Sequence, residues 1–244
     1  MITLTPNKDT VSAYADETFI GTIRLSENPY HKQNCYIELN LENYDNAISA
    51  ELFKNLAQMI QRPLQVMVNS DNPQITSFLT AGGCVLKRKC YEVEATKEDW
   101  IGTGDPASLC SAHEGDEVYD LCCKIMYERY KETHKNVNPW TAGLSDFRNQ
   151  LSSDVCYEAD GKAIVNLAFI EDNEIAYIYS IDPARFSGFA TALVDNLVAE
   201  HGTVSFECDD CDWVAMRLRK MLTNQEKTSF DAYVFDYAGC AGEY

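Results

Sequence analysis

The chain has 244 residues, 45% of them apolar, and 38 acidic against 20 basic side chains leave a formal charge of −18. That surplus repels a phosphate backbone, so nucleic acid is excluded as a partner, while a cationic partner would be attracted. No apolar run approaches the roughly 20 residues of a membrane helix, and "MITLTPNKDTVSAY" shows no basic segment ahead of an apolar core, so a cytoplasmic protein of one large or two small domains, without membrane contact, is expected.

In chain order, "TVSAYAD" and "TFIGTIRL" read as paired strands and "CYIELNL" as a third. "AISAELFKNLAQMI" then sets Ile48, Leu52, Leu56, Met59 and Ile60 on one helical face. "LQVMVNS" returns as a strand, "NPQITSFLTAGG" forms a second helix, and "VLKRKCYEVEA" closes the series. The Gly-, Ser-, Asp- and Thr-rich stretch that follows, residues 96–115, reads as a linker.

The same order then repeats, after a leader of two helices. "EVYDLCCKIMYERYKETHK" carries Val118, Leu121, Cys122, Ile125 and Tyr130 near one face, and "TAGLSDFRNQL" follows Pro139. "VCYEAD" and "AIVNLAFIE" pair around Asp160-Gly161. "EIAYIYSI" runs into a helix with Phe189, Leu193, Val194, Leu197 and Val198 inward, ended by Gly202. "TVSFECD", a helix through "DWVAMRLRKML", and "SFDAYVF" complete the copy. The fold class is therefore α+β: two similar domains, 1–95 and 116–244, each a mixed, mostly antiparallel sheet flanked by helices.

The ten cysteines are irregularly spaced and many lie among apolar residues, as in "LCCKIM", which fits small buried hydrophobes in a reducing compartment. Cys208 and Cys211 form the single Cys-x-x-Cys, with no second pair, and His31, His113, His134 and His201 are scattered, so no metal site is expected.

The junction "SIDPARFSGFATAL" holds the strongest chemical signal. A helix N-terminus carries unpaired N–H groups and about half a positive charge, and a phosphate can approach it closely where Gly188 and Ala190 leave little or no side chain. Here the chain resembles the GNAT acetyltransferases: Arg185, Gly188 and Ala190 match that family's Arg/Gln-x-x-Gly-x-Gly/Ala signature, and Asp212 with Ala215 match its later motif. The resemblance covers most of both halves. It implies acetyl-CoA as cofactor, with the pantetheine arm along Tyr179, Ser180 and Ile181. The pyrophosphate would lie beside Arg185, along Phe186, Ser187, Gly188, Phe189, Ala190 and Thr191.

Three departures accompany the match. Pro183 stands one residue nearer the arginine than the family pattern. The first half has "YDNAISA" at the same junction, without a basic residue or glycine, and is expected to be a degenerate copy that does not bind the cofactor. The tyrosine that often serves as acid in the family falls at Arg219. For the chemistry, Glu174, 11 residues before Arg185, has the position of a general base. Tyr177 and Tyr179 share a strand face, and Tyr179 is the assigned acid. The function expected is N-acetyl transfer to a primary amine of a small molecule or peptide, with the acid surplus favouring a cationic one, by a monomer or homodimer; the alternative is a non-catalytic acyl-CoA sensor or scaffold.

Overall fold

The computed structural model describes residues 1–102, 104–225 and 227–237. Along the chain run β1 (Ile2–Asn7), β2 (Thr10–Ala15), β3 (Thr18–Ser26), β4 (Cys35–Leu41), α1 (Asn46–Ile60), β5 (Leu64–Asn69), α2 (Pro73–Ala81) and β6 (Val85–Ala95). There follow β7 (Cys110–His113), α3 (Glu117–His134), α4 (Leu144–Arg148), β8 (Asp154–Asp160), β9 (Ala163–Glu171), β10 (Glu174–Ser180), α5 (Pro183–His201), β11 (Val204–Asp209), α6 (Trp213–Arg219) and β12 (Phe230–Phe235). This is the mixed, mostly antiparallel α+β architecture expected from the sequence. Among the described residues, no helix is long and apolar enough to cross a membrane.

Two compact units form. The first contains Met1–Lys89, His134–Ala142 and the stretch from Thr228. Its strands follow the order β1-β2-β3-β4-β5-β12, antiparallel except for the β4–β5 pair. On β4 the alternate residues Cys35, Ile37, Leu39 and Leu41 are buried, and they join Leu52, Phe53, Leu56 and Ala57 of α1 and Phe78 and Leu79 of α2 in one core. The period-two and period-3.6 patterns thus meet on a single face.

The second unit contains Cys90–Thr133 and Gly143–Lys227. Its order is β6-β11-β10-β9-β8-β7, with β10–β11 the parallel pair. Two helical layers enclose this sheet. On one face Ala168, Ile175, Ile178, Phe206 and Cys208 pack with Phe186, Phe189, Leu193 and Val194 of α5 and Val214 and Leu218 of α6. On the other, Phe169 meets Tyr119 of α3, and Tyr177 meets Tyr130 and the fully buried Phe147.

The closing strands differ from the sequence reading. "SFDAYVF" pairs with β5 of the first unit, from Phe230↔Asn69 to Phe235↔Leu64. Its entry is pinned by Ser70 N–H to Ser229 O (2.8 Å) and by Ser229 N–H to Ser70 Oγ (2.9 Å). Conversely, Cys90–Ala95 pairs with β11 of the second unit. Both units are therefore discontinuous in sequence, whereas a cut at 95 and 116 leaves each closing strand with the half that precedes it. Alternation alone cannot separate these outcomes, because either strand offers a suitable buried face to either sheet edge.

The leader helix also turns differently. Tyr119, Cys122, Cys123 and Met126 are buried while Leu121 is exposed, so the inward face lies about one residue from the stripe drawn through Val118, Leu121 and Ile125. The stretch read as a linker is instead part of the second unit: Trp100 bridges to Leu222, Ile101 N–H donates to Met221 O at 2.9 Å, and Cys110–His113 forms the edge strand β7 against β8.

The strand assignment is open to direct test. With exposed Cys110 changed to Ser, the pair Asn69→Cys/Phe230→Cys should form a disulfide on mild oxidation, since facing residues of an antiparallel pair lie within bridging distance. Peptide mapping by mass spectrometry should find that link, and its absence would count against β12 closing the first unit.

Candidate acyl-transfer site

The second unit's site grows from β10. This strand pairs with β9 over its length, interrupted by a bulge between Ile175 and Tyr177. With β11 it shares only the register point Glu174↔Ser205, after which β11 is held by β6. From Ile175 onward, β10 departs from β11 and leaves a wedge between two parallel strands. Bulges of this kind re-aim side chains, and here Tyr177 and Tyr179 are turned away from the Ile175–Ile178 core.

Glu174 stands exposed at the narrow end of the wedge, at the start of β10. Tyr177 is half-buried, and burial followed by the carboxylates of Glu207 and Glu174 pushes its phenol upward. Burial also raises Tyr179, against a smaller opposing pull from Arg129. Both phenols therefore hold their protons at neutral pH, as a general acid must.

Ser180 is buried and spent locally: its Oγ donates to Asp182 O and accepts from Asp182 N–H, both at 3.2 Å. Ile181 is 57% exposed, but its N–H donates to Val165 O at 3.0 Å, so that amide is not free to polarise a carbonyl.

The helix start differs from an open loop. Pro183 is already helical, Asp182 caps the helix by accepting from Ala184 N–H at 2.8 Å, and Arg185, Phe186, Ser187 and Gly188 lie within the first turns. The connection is thus as short as Pro183 implied. Arg185 turns to carboxylates, with Nε–Glu158 Oε1 at 2.9 Å and Nη1–Asp160 Oδ2 at 3.1 Å. The hydrogen bond to Glu158 holds its pKa above the usual guanidinium value. Phe186, Phe189 and Ala190 are buried in the core, and the Thr191 hydroxyl, also buried, has no hydrogen-bond partner among the described residues.

Gly188 does permit a close approach, but the approaching group is the chain itself. A Cβ on Gly188 would meet Asp105 O at 2.5 Å, and a Cβ on Gly104 would meet Gly188 N and Ser187 C at 2.6 Å. Ala107 N–H donates to Gly188 O at 3.1 Å. In this arrangement the helix start does not fit a pyrophosphate, because a carboxylate caps it and residues 104–107 cover it.

Three residues of this region escaped the sequence reading. Arg129 of α3 reaches Asp212 Oδ1 at 2.6 Å, with the two side chains only 18% and 13% exposed. The ion pair joins the helical layers of the two sheet faces beside Tyr179, and Asp212 also caps α6 through Val214 N–H. Arg217 places Nη2 3.4 Å from Ser187 Oγ. Gly104 had a signal, a glycine within a Gly-Thr-Gly stretch, but its partner lies 84 residues away in sequence. Arg219 stacks on Tyr91 at 3.8 Å from the ring centroid and is buried there.

In the first unit, α1 is likewise capped by a carboxylate, Asp45, which accepts from Ala47 N–H at 2.9 Å. Tyr44 OH folds back to Leu39 O at 2.9 Å.

The fold that carries this bulge, wedge and helix recurs among solved structures. An N-acetyltransferase from Sphaerobacter thermophilus described as GCN5-related matches 94% of this chain over 81% of its own, with a TM-score of 0.54 and 11% identity. A tandem GNAT protein from the clavulanic acid biosynthesis pathway matches 93% of this chain over 82% of its own, with a TM-score of 0.52 and 10% identity. The fold is that of the GNAT acetyltransferases. No family model and no curated protein matches the sequence, so the GNAT likeness lies in the fold, with about one residue in ten identical.

Within this GNAT fold Gly188 gives a test with a definite sign. Replacing a mid-helix glycine by alanine normally stabilises by about 0.5–1 kcal/mol. Here the added methyl meets a carbonyl oxygen, and Gly188→Ala should instead lose about 1–3 kcal/mol in urea unfolding, as should Gly104→Ala. A stabilised Gly188→Ala would contradict the backbone crossing.

Proposed function

We propose that the chain is an N-acyltransferase of the GNAT type, moving an acetyl group from acetyl-CoA to a primary amine of a small molecule or peptide. The observation that carries this reading is the bulged, splayed β10 leading directly into α5, within the fold described above. Arg217 beside Ser187 adds a cation at the helix start, and the exposed Glu174 has the position of a base. Tyr179, or Tyr177 on the same face, keeps a proton available. The acidic surface favours a cationic amine. For the cofactor to reach the helix start, residues 104–107 have to lift from Gly188.

A second reading, an acyl-CoA sensor or scaffold without turnover, draws on the same covering segment, the Asp182 cap and the ion pairs that occupy Arg185. Melting with excess acetyl-CoA followed by thiol release across a panel of primary amines separates the two. Acetyl-CoA at 100 times its dissociation constant should add about 2.7 kcal/mol of stability, and at least one amine should release CoA. Glu174→Gln should then slow turnover by about 10²- to 10⁴-fold. Absence of any melting shift with acetyl-CoA would remove both readings, and a shift without thiol release would leave the sensor.

A further inference from the structure

The first unit holds a cleft of about 630 Å³ at the parting of β4 and β5, a volume in the range of small-ligand sites. The two strands share three register points, ending at Ile37↔Val66, yet β4 continues to Leu41 and β5 to Asn69. Residues 38–41 and 67–69 thus face one another past the end of the ladder. Leu39 O shows what such an edge requires, since it takes a hydrogen bond from a side chain, Tyr44 OH.

The lining combines apolar and charged groups. Met67, Ile75 and Phe230, the last 41% exposed, give an apolar wall, while Tyr36 and Gln65 close the paired end, their side chains already bonded to Asn138 and Asn34. Arg24 is the cleft's cation, and Glu38 already faces it at 3.6 Å. Asp71 adds a second, exposed carboxylate before α2. One positive against two negative groups disfavours a polyphosphate and attracts an ammonium.

We propose that this cleft binds the N-terminal end of a short extended peptide, its free ammonium drawn to Glu38 and Asp71 and its amides added as a strand between β4 and β5. An apolar side chain of that peptide rests against Met67, Ile75 and Phe230. The proposal concerns binding alone and stands whether or not the second unit transfers acyl groups.

The test is calorimetric titration of the full chain with Ala-Ala-Phe amide, its N-acetylated form, spermidine and coenzyme A, with amide chemical shifts recorded alongside. The free tripeptide amide should bind and shift residues 36–41 and 65–72, and N-acetylation should weaken it at least tenfold. Glu38→Gln/Asp71→Asn should lose affinity to the same extent at an unchanged unfolding midpoint, since both side chains are exposed. No binding of the free tripeptide, equal binding of its acetylated form, or full affinity in the double variant would overturn the proposal. Spermidine binding as tightly as the peptide would overturn strand insertion, and coenzyme A shifting the same residues would replace the peptide by a pantetheine-bearing ligand.

Discussion

At Gly188 two stretches of backbone pass closer than any side chain allows. Asp105 O occupies the space where a Cβ would project, and Gly104 meets Gly188 N from the other side of the crossing. A packed interior leaves no room for both this crossing and a third group. Much of the second unit's site is organised around it. The helix start is capped by Asp182 instead of an external anion, Arg185 is free to engage Glu158 and Asp160, and residues 96–102 are drawn along the unit through Trp100 and Ile101. The glycine that suggests a phosphate cradle in the sequence has a structural use in the fold.

That double meaning shows where the sequence is readable and where it is not. Most elements followed from local patterns: β4 alternates cleanly, α1 carries its stripe through Leu52 and Leu56, and Gly202 ends α5 at φ 84° as a left-handed cap; the short edge strands β1 and β7, the latter inside the stretch read as a linker, did not. The strand-to-helix junction and its shortness at Pro183 were equally local. Partner choice was not. Whether "SFDAYVF" completes one sheet or the other is decided by which edge it meets, and the strand itself looks the same in both cases. Likewise, Arg129 and Asp212 are 83 residues apart, and nothing near either announces the other. On α3, the burial of Tyr119 and Met126 shows that adjacent apolar residues can mark two stripes one residue apart, between which only packing decides.

The two units handle the same geometric problem differently. Each contains one parallel pair whose strands part, which leaves ladder groups to be satisfied by something other than the neighbouring strand. In the second unit the surroundings of the wedge are well provided, with Ser180, Ile181 and Asp212 engaged and a largely buried ion pair beside Tyr179. In the first unit the parting opens into a cleft with exposed carboxylates at its rim. The helix start there, "YDNAISA", carries neither a basic residue nor a glycine, which disfavours a phosphate without closing the cleft. A fold shared with acetyltransferases thus leaves each unit's ligand to be argued from its own side chains.

Residues 104–107 cover the start of α5 in the free protein and have to lift when acetyl-CoA binds there, and amide exchange at Ala107 reads both states, because its N–H donates to Gly188 O. Ala107 should exchange slowly in the free protein and faster with saturating acetyl-CoA, while the β9–β10 ladder stays protected. Exchange as fast as an exposed amide in the free protein, or undiminished protection of Ala107 with acetyl-CoA bound, would contradict this.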